Sequence, residues 1–141
     1  TEDKILHIGG LTGYVTSILS KLSKYVVVIE NDNNLFKQLK DNIVNNQLKN
    51  VEAVKNDLEF GYFEQSPYDL IFIDCPLIKI SNEILEQINS NLGRLIMIQK
   101  TNTDLGKAIQ IKKNKENYNK EYLFDVFSKF NLYKFKEDFI F

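Results

Sequence analysis

Several short segments carry residues that can bind a nucleoside, and they follow one another along the chain. The first is a turn at residues 9–13 (GGLTG), whose glycines are Gly9, Gly10 and Gly13. Glycines let the backbone turn tightly and let a ligand approach main-chain N–H groups at a helix N-terminus. About 20 residues further on, Glu30 ends an apolar run, and an acidic side chain there can accept hydrogen bonds from both hydroxyls of a ribose. This spacing favours a ligand-binding interpretation of Glu30.

Two more carboxylates follow later apolar runs. Asp57 could accept a hydrogen bond from an adenine amino group, with Leu58 against the ring. Asp74 would face the region between this ligand and a substrate. Because ligands of open α/β sheets bind at the carboxyl ends of the strands, the order of these residues predicts a nucleoside-binding site.

Each segment also has an interpretation that involves no ligand. The glycines suit an ordinary strand-to-helix turn, and the dinucleotide pattern G-x-G-x-x-G is missing because Leu11 stands two residues after Gly9. Glu30 could simply begin a polar turn. Asp57 could form an Asx-type turn, and Asp74 could belong to the turn before the following proline.

The sequence holds one histidine, His7, and one cysteine, Cys75. These are too few for a zinc cluster, so we predict no metal site, and the sequence does not identify the catalytic residues. His7 lies inside an apolar run, so we expect it to be a packed structural residue. Cys75 is expected to be a half-buried small residue rather than a nucleophile, because no second histidine is present to activate it.

The elements that must position these residues are indicated by the hydrophobic pattern. Strand-like runs and helical stripes alternate about every 20 to 25 residues through residue 100, which predicts an α/β sheet, mainly parallel, with right-handed crossovers. For the first helix we expect Thr12 as the N-cap, and for the second Asp32 or Asn33. The predicted strands are 4–9, 25–30, 50–55, 69–74 and 93–99, and the apolar stripe of the first helix is Val15, Ile18, Leu19 and Leu22.

Beyond residue 100 the pattern changes. Ala108–Ile111 is typical of a strand, and residues 132–141 alternate as a strand does. Residues 122–130 fit helical and strand spacing equally well. An antiparallel pair at the sheet edge is the simplest arrangement, and we interpret residues 1–141 as a single domain.

Composition narrows the function classes. The 141 residues carry 18 basic and 19 acidic side chains, and a net charge of −1 makes nucleic acid an unlikely partner. Arg94 is the sole arginine, which disfavours bidentate phosphate recognition. Apolar runs are too short to cross a bilayer and no signal peptide is evident, so we expect a cytoplasmic protein.

Residues 5–99 resemble the Rossmann-like methyltransferases that use S-adenosylmethionine, and most closely the protein-L-isoaspartate O-methyltransferases. Residues 6–16 (LHIGGLTGYVT) are similar to that family's L-E-I-G-T-G-S-G-Y-x-T pattern. The other matching segments are 28–30 (VIE), 48–52 (LKNVE), 56–57 (ND), 68–71 (YDLI), 84–88 (ILEQI) and 93–95 (GRL).

The resemblance implies a three-layer sheet, with the glycines near the methionine part of the cofactor, Glu30 at the ribose and Asp57 at the adenine. It implies methyl transfer to the free carboxylate of an isoaspartyl residue in a damaged protein. The chain departs from the pattern at His7, where an acid is expected, at Leu11, where a glycine is expected, and in the segment that follows Asp74.

The printed sequence starts at strand one, whereas the family has helices before it that cover the cofactor. We therefore expect an uncovered apolar face that could support self-association. The alternative function is a catalytically inactive module of the same fold that binds a partner. A further alternative treats residues 74–77 (DCPL) as a degenerate D-P-P-Y motif of nucleic-acid amino-methyltransferases.

Overall fold

The computed structural model describes residues 1–75, 79–100 and 104–127. Over these ranges the strands are β1 Lys4–Ile8, β2 Tyr25–Glu30, β3 Val51–Lys55, β4 Leu70–Ile73, β5 Asn91–Lys100, β6 Leu105–Asn114 and β7 Asn117–Phe127. The helices are α1 Tyr14–Leu22, α2 Asn33–Asn45 and α3 Asn82–Glu86, with 3-10 turns at Leu58–Phe60 and Phe63–Gln65.

The strands of the described residues form one sheet in the order β3-β2-β1-β4-β5-β6-β7. β1 pairs in parallel with β2 on one side and with β4 on the other, so the direction of strand succession reverses at β1. β3 and β5 extend the parallel part, and β6 and β7 add an antiparallel edge. The predicted mainly parallel sheet with an antiparallel C-terminal edge is confirmed.

Both faces of the central strands are covered, which explains their continuous apolar sequences. Leu6 and Ile8 point into a core that also contains Leu58 and Ile84, from the 3-10 turn and α3. The opposite face belongs to a smaller core shared with α1. Helices therefore lie on both sides of the sheet, and the expected three-layer arrangement is confirmed.

The buried side of α1 differs from the predicted stripe. Ile18 and Leu22 are exposed at 42% and 60% of their surface. The residues of α1 that are buried are Thr16, Leu19 and Ser20. Leu19 is buried and Val15 packs on the same core, so half of the predicted stripe is right. Two of the three buried side chains are small and polar, so the helix can lie close to the sheet at positions that apolar periodicity alone does not indicate.

One of the two predicted helix caps is wrong and the other is confirmed. Thr12 does not cap α1: the N-cap is Gly13, whose backbone has a φ of 96° and which makes no side-chain capping bond. Such a left-handed conformation favours glycine. Asp32 caps α2 as expected, since its carboxylate accepts hydrogen bonds from the N–H groups of Asn34 and Leu35.

The C-terminal part of the described chain is a hairpin of two long strands. β6 extends well beyond the predicted Ala108–Ile111, and β7 includes residues 122–127, for which helix and strand patterns tie. The predicted strand at 132–141 lies outside the described residues. The interpretation of residues 1–141 as a single domain stays a prediction for the same reason.

The packing around Gly10 generates a stability prediction. A Cβ atom at Gly10 would lie 2.4 Å from Cγ2 of Val28 and 3.0 Å from Cδ2 of Leu39, both fully buried. We expect Gly10→Ala to lower the free energy of unfolding by about 1–3 kcal/mol through overpacking, as measured by urea denaturation.

Val28→Ala provides the matched control, because it removes the methyl group that would clash. The double variant should lose less stability than the sum of the two single variants. Additive losses would contradict the packing explanation.

Candidate functional site

The predicted ligand-binding residues lie at the same edge of the sheet. Asp57 follows β3, Glu30 ends β2, the glycine turn follows β1 and Asp74 follows β4. These four strands are consecutive neighbours, so the residues are arranged in a row across three strand spacings, or about 14 Å. The row crosses the point where strand order reverses, which is where ligands of open α/β sheets bind.

Glu30 is buried, with 3% of its surface exposed, and its carboxylate is held by backbone N–H groups. Oε2 accepts a hydrogen bond from the N–H of Leu11 at 2.9 Å. Oε1 accepts from the N–H groups of Asn31 at 3.0 Å and Asp32 at 3.2 Å. A carboxylate offers about four acceptor positions, so about one remains for a ligand hydroxyl.

The glycines of the turn serve different purposes. Gly9 has a φ of 85°, and a Cβ atom there would meet only ordinary contacts, 3.7 Å from the carbonyl oxygen of Asp74 and 3.9 Å from Sγ of Cys75. Gly9 therefore faces the gap between the ends of β1 and β4, where Asp74 and Cys75 follow β4. Gly10 and Gly13 lie against Leu39 of α2 instead, whose methyl groups would be 3.0 Å from a Cβ atom at either position. Packing thus gives these two glycines a role that requires no ligand.

Leu11, the departure from the glycine pattern, has an exposed side chain and a φ of 48°. This left-handed conformation is costly for leucine. It directs the main-chain N–H toward Glu30, and the side chain points away from the turn's interior. Leu11 therefore preserves the turn while adding local backbone strain.

Asp57 and Leu58 occupy contrasting environments. Asp57 is exposed at the start of a 3-10 turn, where its side chain makes no capping hydrogen bond. Leu58 is 3% exposed and packs in the main core. The carboxylate of Asp57 is thus accessible to a ligand, and a contact between Leu58 and a ring stays a prediction.

Asp74 and His7 form a pair that the sequence pattern does not reveal. Oδ2 of Asp74 lies 3.5 Å from Nε2 of His7, and the Asp74 side chain is 30% exposed. His7 is completely buried, and its Nδ1 lies 2.9 Å from Oγ1 of Thr16. His7 is therefore packed as expected, but it also joins α1 to the strand end that carries Asp74.

Cys75 is partly buried next to this pair. Burial raises the pKa of its thiol from 9.0 to about 12, with further contributions from the negative charges of Asp74 and Glu30. Since the thiolate is the reactive form of cysteine, this environment supports the prediction that Cys75 is not a nucleophile.

Two contributions escape prediction from the sequence. One is the main-chain N–H of Leu11, which no side-chain pattern can indicate. The other is Thr16, whose only signal is a polar residue on the sheet-facing side of α1. The segment compared with a D-P-P-Y motif is described only at Asp74 and Cys75, since residues 76–78 lie outside the described ranges.

The described residues contain neither a metal-binding cluster nor a membrane-spanning helix. No group of three or more histidine, cysteine, aspartate or glutamate side chains there could hold a metal ion. No helix within the same ranges is long and apolar enough to cross a membrane.

The chain is similar to proteins of one known family over most of its length. The sequence profile of the family described as Protein-L-isoaspartate(D-aspartate) O-methyltransferase matches residues 1–127. The chain belongs to this family. The match includes the row of site residues as well as the antiparallel edge of the sheet, and it confirms the resemblance seen in the sequence motifs.

Relatives in the protein-L-isoaspartate O-methyltransferase family show how much of the family's length is present. The protein-L-isoaspartate O-methyltransferase of Methanoregula boonei is 34% identical over 96 residues, which are 68% of this chain and 44% of that protein. That of Dictyoglomus turgidum is 36% identical over 87 residues, or 62% of this chain and 40% of that protein. The chain thus spans less than half the length of these curated relatives.

Solved structures also show a match that covers most of this chain and less than half of the related protein. A protein-L-isoaspartate O-methyltransferase matches 93% of this chain and 43% of its own length, with a TM-score of 0.83 and 25% identity. An rRNA methylase from Streptococcus thermophilus matches 70% of this chain and 62% of its own, with a TM-score of 0.58 and 15% identity, which shows a shared fold alone.

The environment of Cys75 leads to a reactivity prediction. A rise in pKa from 9.0 to about 12 lowers the thiolate fraction about 1000-fold at pH 8. We expect alkylation by iodoacetamide to be slower in the native chain than in the urea-unfolded chain by about this factor. The chain has one cysteine, so total alkylation measured by mass spectrometry reports on Cys75 alone. Equal rates in the two states would contradict the proposed burial of the thiol.

Proposed function

We propose that the chain binds S-adenosylmethionine and transfers its methyl group to the free carboxylate of an isoaspartyl residue in a protein or peptide. The observation that carries this proposal is the row of Asp57, Glu30, Gly9 and Asp74 across neighbouring strand ends. Family membership supports the same reaction. Because the chain spans less than half of its relatives, the full reaction is part of the proposal.

The residues present fit the proposed cofactor. Asp57 offers an exposed carboxylate to the adenine amino group, and Glu30 keeps about one acceptor position for a ribose hydroxyl. Gly9 keeps the gap beside β4 free of a side chain. Gly10 and Gly13 shape the turn through packing, and they would line the methionine part through the backbone alone. When bound, the cofactor supplies a methyl group on a positively charged sulfur.

The proposed reaction needs orientation more than acid–base chemistry. A carboxylic acid side chain has an ordinary pKa near 4, so the accepting carboxylate is already ionised at neutral pH. No general base is then required. The chain's contribution is to hold both reactants at the distance and angle of reaction.

We also propose a role in protein repair in the cytoplasm, which follows from the proposed substrate. The alternative of an inactive partner-binding module is not favoured by the family match. Self-association stays a prediction; on the α1 side of the sheet, Phe72 and Ile96 are only partly buried.

Cofactor binding is the first test. We expect titration calorimetry to detect binding of S-adenosylhomocysteine, and Asp57→Ala to weaken it about tenfold by removing a charged acceptor. Asp57 is exposed, so this variant should keep its thermal stability. Glu116→Ala, at the exposed tip of the β6–β7 hairpin, is the control and should bind normally. An absence of heat at millimolar ligand would refute the proposal.

Glu30→Ala should behave differently from Asp57→Ala in the same experiment. It removes three backbone hydrogen bonds as well as the ribose acceptor, so we expect binding to be lost and the melting temperature to fall. A stable Glu30→Ala chain with unchanged affinity would contradict the assignment of this residue.

Methyl transfer is the second test. We expect radiolabelled S-adenosylmethionine to form a base-labile methyl ester on a peptide that contains isoaspartate. The same peptide with ordinary aspartate should remain unlabelled. Binding of S-adenosylhomocysteine without any transfer would contradict the catalytic proposal and favour the partner-binding module.

A further inference from the structure

We propose that His7 is a positioning residue that orients the Asp74 carboxylate toward the ammonium group at the amino-acid end of the cofactor. The inference rests on the proposed function, because it assigns a role within the same cofactor site. It makes Asp74 a determinant of which adenosine derivative the chain prefers.

The first observation is an unpaired polar atom in the interior. His7 is completely buried, and its Nε2 has no hydrogen-bond partner among the described residues. Buried polar atoms are nearly always paired, because an unpaired one loses its hydrogen bonds with water. An orphaned nitrogen of this kind therefore requires an explanation.

The second observation is the direction in which this nitrogen points. Nδ1 lies 2.9 Å from Oγ1 of Thr16, and the ring meets Phe72 edge-on with centroids 5.8 Å apart. A Thr16 hydroxyl that donates to Nδ1 places the imidazole proton on Nε2. Nε2 then faces Oδ2 of Asp74 at 3.5 Å, beyond an ordinary hydrogen bond but within reach of a small adjustment.

The third observation is the place of Asp74 in the row of strand ends. Its main-chain N–H donates to the carbonyl of Ile8, and its own carbonyl lies 3.7 Å from the position of a Cβ on Gly9. The carboxylate is partly exposed at the gap beside this glycine. With Asp57 and Glu30 at the nucleoside end, β4 lies at the opposite end of the row.

An extended adenosine derivative bound along this row would bring its amino-acid end to β4. The cationic group at that end is an ammonium, which forms strong charge-assisted hydrogen bonds with a carboxylate. His7 would hold one carboxylate oxygen, so the other is presented to the ligand in one orientation. Thr16 thus orients His7, and His7 orients Asp74. Of these three residues, Asp74 alone would touch the ligand.

The test compares two nucleosides that differ at this end. S-adenosylhomocysteine has the ammonium group, whereas 5′-methylthioadenosine lacks the amino-acid portion. We expect Asp74→Asn to weaken S-adenosylhomocysteine binding about tenfold or more and to leave the affinity for 5′-methylthioadenosine unchanged. Asp41→Asn, on the exposed surface of α2, is the matched control and should alter neither affinity.

Variants of His7 separate positioning from a purely structural role. His7→Leu should lower the affinity for S-adenosylhomocysteine several-fold and leave the affinity for 5′-methylthioadenosine unchanged. His7→Gln should bind S-adenosylhomocysteine nearly as well as the wild-type chain, because its amide can donate to Asp74. If His7→Leu fails to fold, His7→Gln decides the positioning role, because it keeps a donor for Asp74 and should keep the affinity for S-adenosylhomocysteine that Asp74→Asn loses.

The outcomes distinguish this inference from the proposed function. A wild-type chain that binds neither nucleoside overturns both. A wild-type chain that binds both, with Asp74→Asn or His7→Leu weakening the two affinities equally or not at all, overturns the positioning role alone. Selective loss of S-adenosylhomocysteine binding, with rescue by His7→Gln, supports it.

Discussion

The carboxylate of Glu30 connects the loops on which the site depends. One oxygen accepts from Leu11 in the loop after β1, and the other accepts from Asn31 and Asp32 in the loop after β2. Removing a charged group from water is expensive, so these charge-assisted hydrogen bonds are needed to keep Glu30 buried. The same bonds fix both loops relative to the sheet, just before α1 and α2 begin.

Three carboxylates along one edge of the sheet give the site a negative potential. Asp57, Glu30 and Asp74 lie in a row, and the His7 ring lies beside Asp74. Such a field attracts a cationic ligand and opposes a second anion. S-adenosylmethionine carries a positive sulfur, an ammonium group and a carboxylate, so it brings one net positive charge, and its binding would reduce the repulsion met by an isoaspartyl carboxylate. The proposed reaction is therefore easier when the cofactor binds before the substrate.

Local patterns predict the strands of this fold better than they predict the site. Continuous β-branched runs such as Tyr25–Glu30 indicate strands buried on both faces, because few other structures bury every residue. The predicted stripe of α1 is half right, since Leu19 and Val15 pack on the sheet whereas Ile18 and Leu22 are exposed. Thr16 takes a buried place that hydrophobicity assigns to Ile18. The contact between His7 and Asp74 joins residues far apart in sequence. It depends on the register of β1 against β4, which no local pattern contains.

The strand order also has a consequence for folding. β5, β6 and β7 are consecutive in sequence and pair as antiparallel neighbours, so their contacts close short loops. β1 must instead pair with β4, and that register joins Ile5 to Leu70 across a long segment of chain. Contacts with such wide sequence separation form slowly, because chain entropy is lost before they can compensate for it. The antiparallel edge can therefore form early, whereas the gap between Gly9 and Asp74 takes shape only when the two halves of the sheet meet.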